Sequence, residues 1–398
     1  MKITDVRTTV FRYRSNVVTD WEGHSHPAHY IGKGWVWMTQ SLTEIVTDEG
    51  VNGLCLGGKP RLNEALKRIL VGGNPLDREK VWQRLHYMKH VVKEQRDVCV
   101  IDNALWDFAG KLTNLPVSKL LGGFREKILA YGSTMCGEIE KPCGLSSPEE
   151  FADFAEALKK RGYKALKLHT FEPGMLWKDV YHYGKADRYV KMDVEACKAV
   201  RERVGSEMVL MLDACHNYNL EQALWVGREL ERLNFFWYEE PMLEHHTHAY
   251  VKLCQQLTIP VCSPETLTRL GPKARAEWII RGASDMSRVS CLDVGGITAA
   301  KKTADLCDCF GVRCTMHGSS HGDLQVLGAI WNCDYAERGL LHPTIDFERR
   351  CEEPGTTPYL KESPDPMDRD GFVHIPQKQG LGLELDWDFI EENTVKTK

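Results

Sequence analysis

Missing from the sequence are a Cys-x-x-Cys pair, a long basic run and any apolar stretch near the roughly 18 residues of a membrane span. Without the basic run, and with a formal net charge of −5, the chain carries no nucleic-acid footprint. Without the apolar stretch, no membrane-spanning helix is expected. The N-terminus, MKITDVRTTVF, alternates like an edge strand and lacks the apolar core of a signal peptide, so a cytoplasmic location is expected. The fourteen cysteines run from Cys55 to Cys351 with no paired spacing, which predicts buried, reduced thiols and not a disulfide scaffold. What is present, 42% apolar and 27% charged residues, is the balance of a globular protein. At 398 residues the chain has room for two cores, or for one large barrel with an addition.

Residues 1 to about 60 read as strands, ITDVRTTVFRY and then WVWMTQSLTEIVTDEGVNGLCLGG, with TDEG as a hairpin turn. From Leu62 to Leu120 the pattern turns helical, VCVIDNALWDFAGKL being its clearest segment. Beyond that point short apolar strands alternate with helices. The strands are ILAYGST, KALKLHTF, MVLMLDACH, FFWYEEP, IPVCSPE, MSRVSCLD and VRCTMHGS, and a final helical run follows the last of them. Alternation with short links means a parallel sheet, and seven or eight such units fit a closed β/α barrel better than an open sheet. The division expected is an α+β domain over 1–124, a barrel over 125–364, and a turn-rich tail over 365–398 that packs back on the first domain.

In a barrel of this kind ligands and substrate meet the C-terminal strand ends. Lys167, His169, Asp213, Glu239, Glu265 and His317 all fall there, and successive carboxylates are 26 residues apart, one β/α unit each. Any one of the three could be a helix N-cap at a βα turn; three at equal spacing are hard to obtain that way. Carboxylates grouped at one mouth repel unless a cation joins them, and an oxygen-only set with open positions suits Mg²⁺. Glu240 points to the other side of its strand and is read as support. A cation so held would bind a substrate carboxylate and stabilise the enediolate formed when the adjacent proton leaves. Lys167 and His317 would then address two sides of the substrate, one removing a proton and the other returning one or protonating a leaving hydroxyl. Lys167 and His169, two residues apart in a strand, share a side. Positive charge from His169 could lower the lysine pKa and make it a base. The plainer reading has Lys167 as an ion-pair partner of a ligand carboxylate and His169 as a hydrogen-bond donor to substrate.

With these residues in view, the chain resembles the enolase superfamily, and within it the mandelate racemase and muconate lactonizing enzyme group. The resemblance is carried nearly end to end by ALWDFAGKLTNLPVSKLLGG, the strand ending KLH, Asp213, YEEP with Glu239, PE with Glu265, DVGGIT and TMHGS. It implies an α/β fold, a modified (β/α)₇β TIM-like barrel under an N-terminal α+β capping domain. It further implies one Mg²⁺ on Asp213, Glu239 and Glu265, removal of a proton alpha to a carboxylate, and a homo-oligomer. Capping-domain loops near 18–35 and 52–61 are expected to shape specificity. Here the second-strand motif, commonly Lys-x-Lys, reads Lys167-Leu168-His169. The usual aspartate partner of the seventh-strand histidine, five residues before Gly295, is Ser290. Serine can orient an imidazole but does not stabilise its charged form as a carboxylate does, which favours His317 as an acid or substrate anchor over a strong base. Asp285 and Asp293 do not share the inward position of Ser290 by strand alternation.

The reading favoured is a Mg²⁺-dependent lyase, a dehydratase taking an acid sugar to a 2-keto-3-deoxy acid, since one effective base and one weak acid suit elimination. A racemase, epimerase or cycloisomerase would use the same enediolate. A silent, binding-only descendant is the non-enzymatic alternative, and a barrel hydrolase would require a zinc-binding, histidine-rich set. His24, His26 and His29 are read as substrate contact or surface polarity, EHHTHAY as an exposed helix start, and Asp107 as packing. Trp35 or Trp37 could line the cavity, and Lys33, Lys59 and Arg61 could meet a distal carboxylate.

Overall fold

The computed structural model describes residues 1–20, 29–59, 63–88, 95–138, 144–172, 185–265, 271–344 and 357–395. Three antiparallel strands, β1 (Ile3–Asp20), β2 (His29–Thr47) and β3 (Gly53–Leu56), form the first sheet in that order. TDEG is the expected turn: Thr47 Oγ1 donates to Val51 O at 2.6 Å, and Gly50 takes φ +73. The helix Gln95–Thr113 lies on this sheet so closely that a Cβ on Gly53 would stand 2.0 Å from Ala104 O.

Eight parallel strands make the main run of the second, nine-stranded sheet. They are β4 (Lys127–Thr134), β6 (Ala165–His169), β8 (Val209–Asp213), β9 (Trp237–Glu239), β10 (Val261–Cys262), β11 (Met286–Val289), β12 (Arg313–Met316) and β13 (Ala336–Leu341). Two short strands, β5 (Gly137–Glu138) and β7 (Phe171–Glu172), pair separately. The order is β12-β11-β10-β9-β8-β6-β4-β13 with every neighbour parallel. The two ends meet: β12 packs against β13, and Glu337 accepts the Gly318 N–H at 2.7 Å across the seam. A sheet curled this far is the barrel expected. Its strands read as continuous apolar runs because helices cover one face and the barrel interior the other.

Local signals start and stop the covering helices. Ser147 caps Pro148–Arg161 by accepting the Glu150 N–H, and Gly162 ends that helix at φ +119. Asn219 and Gln222 form a reciprocal capping box at the start of Leu220–Arg232. Inside the barrel Tyr131, Ala165, Met211, Trp237, Cys262 and Met286 form one apolar layer. Two residues further along their strands come Lys167, Asp213, Glu239 and Arg288. Period-two alternation therefore stacks a polar layer directly on the apolar one.

Two elements differ from expectation. The final helical run is a short helix, His321–Leu327, followed by β13, whose alternation is hidden by Arg338 and Gly339. MSRVSCLD is a strand only to Val289; Cys291–Val294 is a helical turn capped by the Ser290 hydroxyl on the Leu292 N–H. Residues of the tail touch both sheets, since β14 (Phe372–His374) pairs antiparallel with β4 and Arg12 N–H donates to Asn393 O at 3.0 Å. Asp107 is a packing residue, accepting the Leu54 and Leu381 N–H groups, each at 2.8 Å. Among the described residues all cysteines are free and most are buried, and no helix is long and apolar enough to cross a membrane.

Candidate active site

Lys167 ends in a ring of acids. Its Nζ is 2.6 Å from Glu239, 3.0 Å from Asp213 and 3.3 Å from Glu337, and its side chain is 1% exposed. Burial and the Arg288 guanidinium disfavour its charge, yet Glu239 and Glu337 outweigh them and hold its pKa well above the usual lysine value. The lowered pKa expected from His169 is therefore reversed. A neighbour in sequence counts for less than carboxylates at hydrogen-bond distance. His169 lies one strand step nearer the mouth, with Nε2 3.2 Å from Asp213 Oδ2.

Arg288 binds the other half of the array. Its Nε is 2.8 Å from Glu239 Oε1 and 2.5 Å from Glu265 Oε2, its Nη2 is 2.7 Å from Glu337, and its Nη1 donates to Tyr131 at 3.0 Å. Neither Arg288 nor Glu337 is singled out by motif, although Arg288 sits two residues from both Met286 and Ser290 and so faces inward. His317 Nδ1 is 2.9 Å from Glu265 Oε1 and 3.7 Å from Asp293. Asp293 reaches the ring because the helical turn at 291–294 breaks strand alternation, while the Ser290 hydroxyl is spent on its own helix cap. Partial burial disfavours charge on His317, but Glu265 and Asp293 prevail and raise its pKa well above the ordinary histidine value.

Behind Glu265 stands a second acidic group. Glu240, at φ +41, accepts the Glu265 N–H at 3.2 Å, and Glu244 accepts it too. His216 Nε2 is 3.1 Å from Glu240. Burial, together with the charges of Glu265 and Glu244, pushes the Glu240 carboxyl well up, and Glu240 fixes the backbone that presents Glu265. As expected, the segment at 244–250 opens an exposed helix, Thr247–Gln256, although Glu244 itself is buried.

Asp213, Glu239, Glu265 and Glu337 are four carboxylates against two permanent cations, Lys167 and Arg288. Burial pushes Glu239 up to about 8 in spite of both cations, whereas Lys167 and His169 overcome burial and hold Asp213 well down. One carboxyl therefore keeps a proton at neutral pH: the array is short of positive charge. An oxygen-rich set with that deficit fits a hard divalent cation. Asp213, Glu239 and Glu265 are the residues that would hold it.

Of the loop residues named from sequence, Lys59 is 3.9 Å from Asp97 and Trp37 is 64% exposed, stacked under Arg14. His24, His26 and Arg61, and the side chains of His29, Lys33 and Trp35, lie outside the described residues.

The chain is similar to known proteins over its whole length. Residues 37–122 match the mandelate racemase / muconate lactonizing enzyme N-terminal domain, and residues 150–389 match the enolase C-terminal domain-like family. A crystal structure of D-glucarate dehydratase from Agrobacterium tumefaciens, complexed with magnesium, is 42% identical over 99% of both chains with a TM-score of 0.89. D-galactarolactone cycloisomerase of Agrobacterium fabrum is 29% identical over 98% of each chain. D-mannonate dehydratase of a Sphingomonas species is 27% identical over 87% of this chain and 89% of its own.

Proposed function

Because the chain belongs to the mandelate racemase / muconate lactonizing enzyme family with its enolase-like barrel, we propose that it is a Mg²⁺-dependent dehydratase of an acid sugar. The substrate loses the proton alpha to its carboxylate and the neighbouring hydroxyl, and the resulting enol becomes a 2-keto-3-deoxy acid. The observation that carries this reading is the asymmetry of the site. Lys167 and His169 lie at the Asp213 end of the carboxylate array, and His317 lies at the Glu265 end.

Bound Mg²⁺ would supply positive charge opposite the enediolate. His169, nearer the mouth and so better placed to meet the carbon, takes the alpha proton, and the charged Lys167 keeps the array beneath it in order. His317 carries its proton into the reaction and gives it to the departing hydroxyl, which leaves as water. Asp293 and Glu265 keep that imidazole charged, doing the work expected of the aspartate that Ser290 replaces.

The test is proton NMR in D₂O with Mg²⁺ and a panel of mono- and diacid sugars headed by D-glucarate, the compound in the name of the 42% identical relative. A deuterated 2-keto-3-deoxy acid, absent with Lys167→Ala and His169→Ala, is the expected product. The second reading is cycloisomerisation, supported by the relative that is 29% identical over 98% of the chain. It predicts turnover of a sugar lactone with no loss of water. Alpha-proton exchange without elimination would place the protein among racemases.

A further inference from the structure

Three consecutive residues after His317 each donate to a different carboxylate. The Gly318 N–H meets Glu337 at 2.7 Å, the Ser319 hydroxyl meets Asp365 at 2.7 Å, and the Ser320 hydroxyl meets Asp323. Glu337 belongs to the barrel array and Asp365 to the tail. Asp323 stands in the first turn of helix His321–Leu327 and is buried. Ser320 is the N-cap of that helix and accepts the Asp323 N–H at 3.3 Å, so part of the contact is ordinary capping. Capping does not account for the other carboxylate oxygen. Asp323 Oδ1 accepts the Cys291 N–H at 2.8 Å, crossing from the segment after β12 to the helical turn after β11.

Cys291 opens the turn that carries Asp293, and Trp82 Nε1 donates to Gly295 O at 2.9 Å where the turn ends. The packing around Asp323 leaves little slack: a Cβ on the neighbouring Gly322 would stand 2.7 Å from Asn103 Nδ2 and 3.6 Å from the Cys291 Cβ. One carboxylate thus joins the loop that places His317 to the turn that places Asp293, and those two side chains stand 3.7 Å apart. Burial raises the Asp323 carboxyl to about 6, although the Ser320 hydroxyl and the Cys291 N–H pull it down. Above that pH both of its oxygens accept.

We infer that Asp323 is a positioning residue, which sets the distance between Asp293 and His317 through the two backbone segments that carry them. A misplacement of about 1 Å can cost about a hundredfold in rate. That consequence for turnover rests on the reading of His317 as the acid; the geometry does not.

Two replacements separate position from charge. Asparagine keeps an oxygen for the Cys291 N–H and offers an amide N–H to the Ser320 hydroxyl oxygen, whereas alanine keeps neither. In crystal structures of the full-length variants, Asp323→Ala is expected to lengthen the Asp293–His317 separation by about 1 Å, and Asp323→Asn to preserve it. With Mg²⁺ and D-glucarate, Asp323→Ala should lower kcat by about tenfold to a hundredfold and leave KM nearly unchanged. Asp323→Asn should restore most of the lost turnover. An unchanged separation in Asp323→Ala, or an equal loss of kcat in both variants, overturns the proposal. A longer separation in Asp323→Ala, with no acid sugar turned over by the unaltered protein, upholds the positioning and overturns the dehydratase reading. If Asp323→Ala does not fold, Ser320→Ala decides: it releases the loop from the same carboxylate, and an Asp293–His317 separation equal to that of the unaltered protein overturns the proposal.

Discussion

Lys167 Nζ is 2.6 Å from Glu239 Oε1, and both side chains are buried. Lys167 also balances Asp213 and Glu337, and Arg288 shares Glu239 with it. Removing one member of a buried pair costs about 3–5 kcal/mol, because it strands the partner's charge. Lys167→Met should therefore destabilise the metal-free protein by about 3–5 kcal/mol in urea melts. It should also increase the thermal shift produced by Mg²⁺, since a divalent ion can take up the charge the lysine had balanced. A Mg²⁺ shift equal to that of the unaltered protein would separate Lys167 from the cation site.

Arg288 is predicted to be harder to replace than Lys167. Its planar fork meets Glu239, Glu265, Glu337 and Tyr131 at once, a geometry that a lysine ammonium cannot span. Arg288→Lys should lose most of the stability lost by Arg288→Met, roughly 3 kcal/mol or more, in urea melts without metal. Full rescue by lysine would reduce Arg288 to a point charge.

Asp102 makes the stability of the protein fall with pH. It accepts the Thr298 N–H at 2.8 Å and the Thr298 hydroxyl at 2.6 Å, joining helix Gln95–Thr113 to helix Ile297–Cys309. Burial pushes its pKa to about 7, although Thr298 and Arg78 pull it down. The folded protein thus holds a proton that the unfolded chain has released above about pH 4. Stability is then greatest below the unfolded value, declines as pH rises toward 7, and levels off above it. Over that window the loss is of the order of 4 kcal/mol at most. Asp102→Asn should flatten the profile between pH 5 and 8 in urea melts; an equal slope in both proteins would assign the trend to other groups.

Ser290 and Asp293 should separate cleanly. The Ser290 hydroxyl accepts the Leu292 N–H at 3.0 Å, so Ser290→Ala should cost about 1 kcal/mol of stability and little turnover. Asp293, 3.7 Å from His317, helps to hold the imidazole charged. Asp293→Asn should lower kcat by about tenfold to a hundredfold and move the alkaline limb of the pH–rate profile to lower pH. A loss of turnover in Ser290→Ala with none in Asp293→Asn would return the orienting role to the serine.

The barrel and the placing of six residues at its mouth were readable from the sequence because each ends an apolar run, and three carboxylates among them recur every 26 residues. Glu337 and Arg288 were not. Glu337 lies on a strand whose alternation is broken by Arg338 and Gly339, and an arginine in a four-residue strand looks like a solvated end. The protonation of Lys167 was out of reach for a different reason. Its controlling partners, Glu239 and Glu337, are 72 and 170 residues away, and only the curled sheet brings them to it. Asp293 was discounted on an alternation that stops at Val289.

The first strand is finished by the far end of the chain. Asn393 O accepts the Arg12 N–H at 3.0 Å, the Val395 N–H donates to Val10 O at 2.7 Å, and Phe11 bridges Thr394. On the ribosome, at about 5–20 residues per second, residues 10–12 wait roughly 20–80 s for those partners. Throughout that interval β1 presents an open edge of unpaired backbone groups, the kind of edge that templates pairing with another chain. The polar sequence of β1, with Arg7, Thr8, Thr9, Arg12 and Arg14 among its side chains, is what keeps that waiting edge from recruiting a neighbour.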